Sequence, residues 1–413
     1  MPKYFFRYPD TRQRSEFLQQ FAEPSATAAF SPPNNDQLPI ADLTPEGAAL
    51  QAASGVEVFD DIEFHIDTGT PALATLPLNA TLAQVMQQVG APGAWNLTRG
   101  EGATIVVVDK GVADAPEFAQ KHSPLSFSLD SSNPWDSAFG HGAMCASIAA
   151  GTNAAGGRYN GVAPAASILS VRVQSVLASE VYPAYTQLLN LRNQGSLLGP
   201  VVVNNSFGVQ SCVPTATPAD HPFFQILQDL AGAGMAPVFS AGNLHADGLC
   251  GNPPAACGPN TIWSANSLDS VLCVGAVDWN NSNQTLPHAN SSRGPGQFST
   301  APGKPDCVAP TYGEVLQKGG YASSLWWGTS AAAPVVSGLL GLVFSRSLNL
   351  GVALTVREAF DIVLRTCRSL PAPHTCVGAG LVDCLAAVNA VGTGDNAPPT
   401  PARAGADPDL SAG

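Results

Sequence analysis

The 413-residue chain carries a formal net charge of −13, with 45% hydrophobic and only 12% charged residues. That balance describes a globular protein with one large core and room for a smaller unit, and it excludes a disordered chain. The negative charge argues against nucleic acid or an anionic membrane as partner, because both are bound mainly through cations.

In chain order, Met1–Pro9 holds no apolar stretch of signal-peptide length, so the chain as written reads as cytoplasmic. No run is expected to span a bilayer. Tyr4–Tyr8 reads as a strand, and Phe17, Leu18 and Phe21 form one face of a helix opening near Asp10. Ala22–Gln37 is polar and Pro/Ser/Asn-rich, a loop. Thr44 followed by Pro45 and Glu46 is a helix start, with proline at the first helical position. Val56–Phe59 and Ile62–Ile66 read as extended. Residues 1–70 therefore form a small α+β unit, and residues 71–80, without periodicity, a linker.

A larger unit covers residues 81–391. Leu82, Val85, Met86 and Val89 share one helical face closed by Gly90. Apolar strands over 104–108, 167–173, 201–203, 235–239 and 271–274 alternate with helical stretches. The pattern predicts an α/β three-layer sandwich around a mostly parallel sheet covered on both faces. Residues 392–413, rich in Pro, Ala, Gly and Asp, are expected to be a disordered tail.

Among nine cysteines, Cys145, Cys273 and Cys307 lie in apolar context and read as small core residues. The other six lie in loop-like sequence, where Cys367 with Cys376 and Cys250 with Cys257 are the nearest pairs. A Cys367–Cys376 disulfide is expected in an exported protein. Reduced thiols in a cytosolic enzyme fit equally well, so the compartment stays open.

The chemistry gathers around Trp326–Gly338, where Gly328, Thr329 and Ser330 precede a helix apolar on every side. Ser330 stands at the helix mouth, where free amides and the helix dipole favour negative charge. Pro334 is read as lying in the first turn, which has N–H groups to spare. Asp109 ends the run Thr104–Val108, His141 lies between Gly140 and Gly142 before a second small-residue helix, and Asn243 follows Gly242. Alone, each has an ordinary reading: a cap for Ser330, a turn residue for Asp109 or Asn243, a cap or zinc ligand for His141. A metal at His141 is not expected. Together they run in the order Asp109, His141, Ser330, which is that of the subtilisin-type triad.

The chain resembles the subtilisin-like serine peptidases (subtilases) over roughly residues 80–390. Val106–Val112 resembles the family's aspartate motif, Gly140–Gly142 its histidine motif and Gly328–Pro334 its serine motif. Gly161–Pro164, Asn205–Gly208, Val274–Asp278 and Val308–Pro310 match its sheet and cleft segments. The resemblance implies an endopeptidase in which His141 takes the proton of Ser330, Asp109 orients His141, and Asn243 joins the Ser330 N–H in an oxyanion hole. Ser206, Phe207 and Gly208, and Ser240, Ala241 and Gly242, would be cleft edges pairing with a polypeptide substrate. No cofactor is implied for the chemistry, and a structural calcium, known in some members, has no residues to assign here. Residues 1–70 would be an inhibitory prosegment, with its tail Phe64–Gly69 in the cleft until self-cleavage between Asp67 and Leu82.

Four positions depart from the family pattern: Lys110 beside Asp109, Ala143 and Met144 after the histidine motif, and Val335 after Pro334. Ile262, Trp263 and Ser264 are expected to line the primary specificity pocket, with a leaning towards apolar or neutral residues. The rivals are a peptide-binding pseudo-enzyme on the same fold and a serine hydrolase of another fold. The latter lacks its Gly-x-Ser-x-Gly elbow around Ser330.

Overall fold

A computed structural model describes residues 2–8, 40–66, 80–247, 249–278, 286–311, 313–324 and 326–392. The helix expected near Asp10, the loop after it, most of the linker and the C-terminal tail lie outside these residues.

The valine run of β4 (Thr104–Asp109) explains the architecture. Ile105 and Val107 enter one core and Val106 and Val108 another, so the strand is buried on both faces. Around it β5 (Phe127–Ser128), β6 (Ser167–Arg172), β7 (Val201–Asn205), β8 (Met235–Ser240), β9 (Leu272–Val277) and β10 (Cys307–Pro310) build a parallel sheet. Its order is β10-β9-β8-β7-β4-β6-β5. Helices His141–Ala150 and Thr329–Leu350 contribute to the core on the Ile105 face. Helices Ala178–Asn193 and Pro222–Gly232 contribute to the core on the Val106 face. The three-layer sandwich is thus formed, with β5, β10 and an antiparallel hairpin of β11 (Gly313–Gln317) and β12 (Gly320–Ser324) added to the expected strands.

Helix Thr329–Leu350 is long and apolar enough by length and composition to cross a bilayer. In this fold 89% of its most apolar window is buried. Small residues let it pack closely: a Cβ on Gly338 would stand 2.5 Å from the Ala149 carbonyl oxygen.

In the N-terminal unit, β1 (Lys3–Arg7) lies between β2 (Ile40–Asp42) and β3 (Glu57–Asp60), all antiparallel. Helix Pro45–Ala53 starts at Thr44, whose hydroxyl accepts the Gly47 N–H at 3.2 Å. In the larger unit, helix Leu82–Gln88 opens with a capping box of Thr81 and Gln84.

The cysteine pairing differs from the nearest-neighbour expectation. Cys212 joins Cys250, and Cys257 joins Cys376 across 119 residues, while Cys367 keeps its thiol. Both bonds tie segments that the fold, not the sequence spacing, brings together.

Candidate active site

The carboxyl ends of β4, β7 and β8 meet the mouths of two helices. Asp109 is the last residue of β4 and is 1% exposed. Its Oδ1 accepts the Lys110 N–H at 2.7 Å, and its Oδ2 lies 2.6 Å from His141 Nδ1. His141 opens its helix, and glycine is needed at the next position: a Cβ on Gly142 would fall 2.2 Å from the Gly111 carbonyl oxygen. His141 Nε2 is buried and has no partner in the protein. Burial disfavours the imidazolium, but the Asp109 carboxylate together with Cys145 outweighs it and holds the His141 pKa well above the usual 6.5.

Ser330 is the second residue of helix Thr329–Leu350. Its hydroxyl donates to the Ser206 carbonyl at 3.1 Å. Pro334 sits sixth in this helix, beyond the first turn, which corrects its expected position. Having no N–H, it leaves the Ser330 carbonyl without its intrahelical partner. That carbonyl is taken instead by Ser206 Oγ at 3.0 Å and Cys145 Sγ at 3.6 Å. The two side chains hold the Ser330 backbone in place.

Asn243 is oriented by Thr329, whose N–H and hydroxyl both donate to Asn243 Oδ1 at 2.8 Å. Its Nδ2 is buried and has no partner. The backbone passes this amide at Gly328 with φ of 75°, and a Cβ there would stand 2.6 Å from Nδ2. Asp109, His141, Asn243 and Ser330 are thus brought together, with two polar atoms, His141 Nε2 and Asn243 Nδ2, left for a ligand.

The expected cleft edges flank them. Ser206, Phe207 and Gly208 follow β7, and Ser240, the end of β8, leads into Ala241 and Gly242. Gly208 already pairs with the N-terminal unit: His65 N–H donates to the Gly208 carbonyl at 2.8 Å, and Gly208 N–H returns a bond at 3.2 Å. On its other side Phe64 N–H reaches the Val176 carbonyl at 3.3 Å, and Ala178 N–H the Ile62 carbonyl at 2.8 Å. Ile62–Ile66 therefore lies as a strand between two edges, and the second, Val176–Ala178, was not foreseen. Phe64 packs on Phe207 and Phe223, with centroids 5.4 and 5.2 Å apart. The Ser240–Gly242 edge is more closed than expected, since Ala241 N–H goes to Val274 and Gly242 N–H to Thr329 Oγ1.

Lys110 turns away from the carboxylate. Its Nζ lies 5.1 Å from the Phe139 ring centroid. Trp263 donates its indole N–H to the Ser211 carbonyl at 2.6 Å, and Ile262 and Ser264 are fully buried. Sequence reasoning missed Thr329 as the brace of Asn243. Cys145 is a core residue, as read, and also lies one helical turn past His141. Cys145 Sγ is 3.9 Å from His141 Nδ1. Asp109, His141 and Cys145 are also a group of potential metal ligands among the described residues, their atoms within 4.8 Å of one another. The Asp109 and His141 atoms are already bonded to each other.

Comparison with known proteins bears on the family and the fold. The profile of the subtilase family matches residues 100–380. Mycosin-3 of Mycobacterium tuberculosis (strain ATCC 25618 / H37Rv) is 27% identical over 88% of this chain and 80% of its own length. Mycosin-4 of the same strain is 32% identical over 71% of this chain and 66% of its own length. Thermitase of Thermoactinomyces vulgaris is 29% identical over 67% and 85% respectively. The crystal structure of MycP1 with the N-terminal propeptide removed superposes with a TM-score of 0.56 at 23% identity, covering 74% of this chain and 96% of that one. That likeness speaks to the fold. The protein is a serine-type endopeptidase acting on polypeptides. The chain belongs to the subtilase family.

Proposed function

We propose that Ser330 is the nucleophile, His141 its general base and Asp109 the residue that orients and charge-balances His141. The observation that carries this reading is the buried, unpartnered His141 Nε2, on a ring whose Nδ1 is held by Asp109 at 2.6 Å. The Ser330 hydroxyl turns from the Ser206 carbonyl to Nε2, gives up its proton and adds to the substrate carbonyl. The oxyanion then takes the Ser330 N–H at the helix mouth and Asn243 Nδ2. His141 passes the proton to the leaving amine, and water releases the acyl group by the reverse path.

Asn243 tests the oxyanion part. Asn243→Ala should lower kcat by roughly 100- to 1,000-fold with a small change in KM, because the bond matters in the transition state. Steady-state kinetics on a peptide substrate reads this split. An equal rise in KM with kcat intact would assign Asn243 to ground-state binding.

The N-terminal unit is read as an inhibitory prosegment, with domains at 1–70, 71–80, 81–391 and 392–413 as expected from sequence. Ile62–Ile66 supports this by taking the backbone positions on Gly208 and Val176 that a substrate strand would use. The rest of the unit adds to the grip. Asp61 accepts the Ser179 N–H at 2.9 Å at the start of helix Ala178–Asn193, Arg7 pairs with Asp220 at 3.2 Å, and Phe5 and Phe59 pack on buried His221. N-terminal sequencing of freshly folded protein should give a start between Thr68 and Leu82. Full activity with Met1 still attached would overturn the prosegment reading.

A further inference from the structure

We propose that Asn266 closes the floor of the primary specificity pocket, so that the enzyme cuts after short side chains carrying a hydrogen-bond donor: serine, threonine or asparagine. This rests on the reading of Ser330 as nucleophile.

With Ser206–Gly208 and Ser240–Gly242 read as the cleft edges, the side chain of the residue before the cut would enter beside Ser330, between them. What fills that gap is an amide. Asn266 Nδ2 donates to the Phe207 carbonyl at 2.9 Å and to the Ser240 carbonyl at 2.7 Å, one on each wall. It also approaches the backbone that pairs with the substrate-like strand, because a Cβ on Gly208 would stand 2.8 Å from the same nitrogen. Ser240 Oγ adds a longer link between the walls, to the Phe207 carbonyl at 3.4 Å. A pocket braced across its width in this way has no depth for an aromatic or a long aliphatic side chain.

The chemistry of the floor follows from the same bonds. Both amide hydrogens are used, which fixes which end of Asn266 is oxygen. Oδ1 is left buried without a partner, on a residue 1% exposed. Two positions earlier on the same turn, Ser264 is fully buried, its hydroxyl is also unpartnered, and its φ is 51°. Buried polar atoms without partners are rare, and left-handed backbone at a non-glycine residue tends to occur at functional sites. A carbonyl-type oxygen accepts and cannot donate, so it selects a donor in the entering side chain. An aspartate or glutamate would set a second acceptor against it, and an apolar side chain would leave it unsatisfied.

Peptides identical except before the cut test this, with isosteric pairs separating shape from hydrogen bonding. Wild-type protein should show kcat/KM higher for asparagine than leucine, and for threonine than valine, by about tenfold or more, with phenylalanine poorest. Asn266→Gly removes the brace and the acceptor, so leucine and phenylalanine should gain about tenfold relative to serine and the asparagine-over-leucine preference should vanish. Should that variant fail to fold, Ser264→Ala keeps the brace, and it should narrow the threonine-over-valine preference. Fastest cleavage by the wild type after leucine or phenylalanine would overturn the inference, as would an unchanged preference in folded Asn266→Gly. If Ser330→Ala retained cleavage of the same peptides, the nucleophile reading would fail instead, so the two failures are distinguishable.

Discussion

Ser330→Ala is expected to fold normally and to lose about a millionfold in kcat, as removal of the nucleophile does in peptidases of this type. The fold should survive because the change deletes one oxygen from a position already followed by Ala331, Ala332 and Ala333. The bonds that hold the Ser330 carbonyl come from Ser206 and Cys145 and do not involve the deleted atom. Only the Ser206 carbonyl loses a donor, the bond of 3.1 Å from the hydroxyl. Its loss costs about 1 kcal/mol, a small part of the stability of a domain this size. The variant should also keep Met1, since no other group in the site can make the first cut. Hydrolysis of an unfolded protein, thermal melting and N-terminal sequencing read the three outcomes together. Wild-type proteolysis in this variant would remove Ser330 from the mechanism.

Asp109→Asn is expected to lower kcat by roughly ten-thousandfold while leaving the backbone unchanged. The reason lies in which neighbour fixes which oxygen. The Lys110 N–H donates to Oδ1 at 2.7 Å, so an asparagine would turn its own oxygen there and present its NH₂ to His141. His141 Nδ1 must then accept, which puts the ring proton on Nε2, where the Ser330 proton has to go. The pH dependence supplies a second signature. In the wild type burial opposes the imidazolium, but the Asp109 carboxylate and Cys145 together more than compensate, so His141 deprotonates above its ordinary value. Activity needs the neutral ring, so the acidic limb of kcat/KM should sit above pH 6.5, the ordinary histidine value. Without the carboxylate the burial effect remains, so in the variant that limb should move to lower pH even as the plateau falls. A limb that stays in place would show that another group sets it.

The four central residues were legible because their surroundings are spelled locally. Gly142 has no room for a Cβ beside the Gly111 carbonyl, and Gly328 none beside Asn243, so close approach writes glycine next to His141 and near Ser330. The β4 valines likewise announce a strand buried on both faces. What the sequence hid depends on distant contacts. Cys376 has Cys367 near it in sequence, yet bonds Cys257 across 119 residues. Asn266 is not singled out by the sequence, and its amide bridges Phe207 and Ser240 only in the folded chain. Pro334 looked like a first-turn proline, whereas its missing N–H frees the Ser330 carbonyl for Ser206 and Cys145. β11 and β12 meet across a hairpin; β12 is a short, largely exposed run, and β11 offers only the adjacent apolar pair Val315 and Leu316.

Mass spectrometry of the protein after reaction with a fluorophosphonate tests Ser330 as nucleophile most directly. The reagent phosphonylates a serine only where a base removes its proton and an oxyanion hole binds the adduct. The expected result is one modified peptide, carrying the group on Ser330, that disappears in Asp109→Asn and on denaturation before labelling. Labelling of another serine with loss of activity, or full inhibition with Ser330 unmodified, would contradict the assignment.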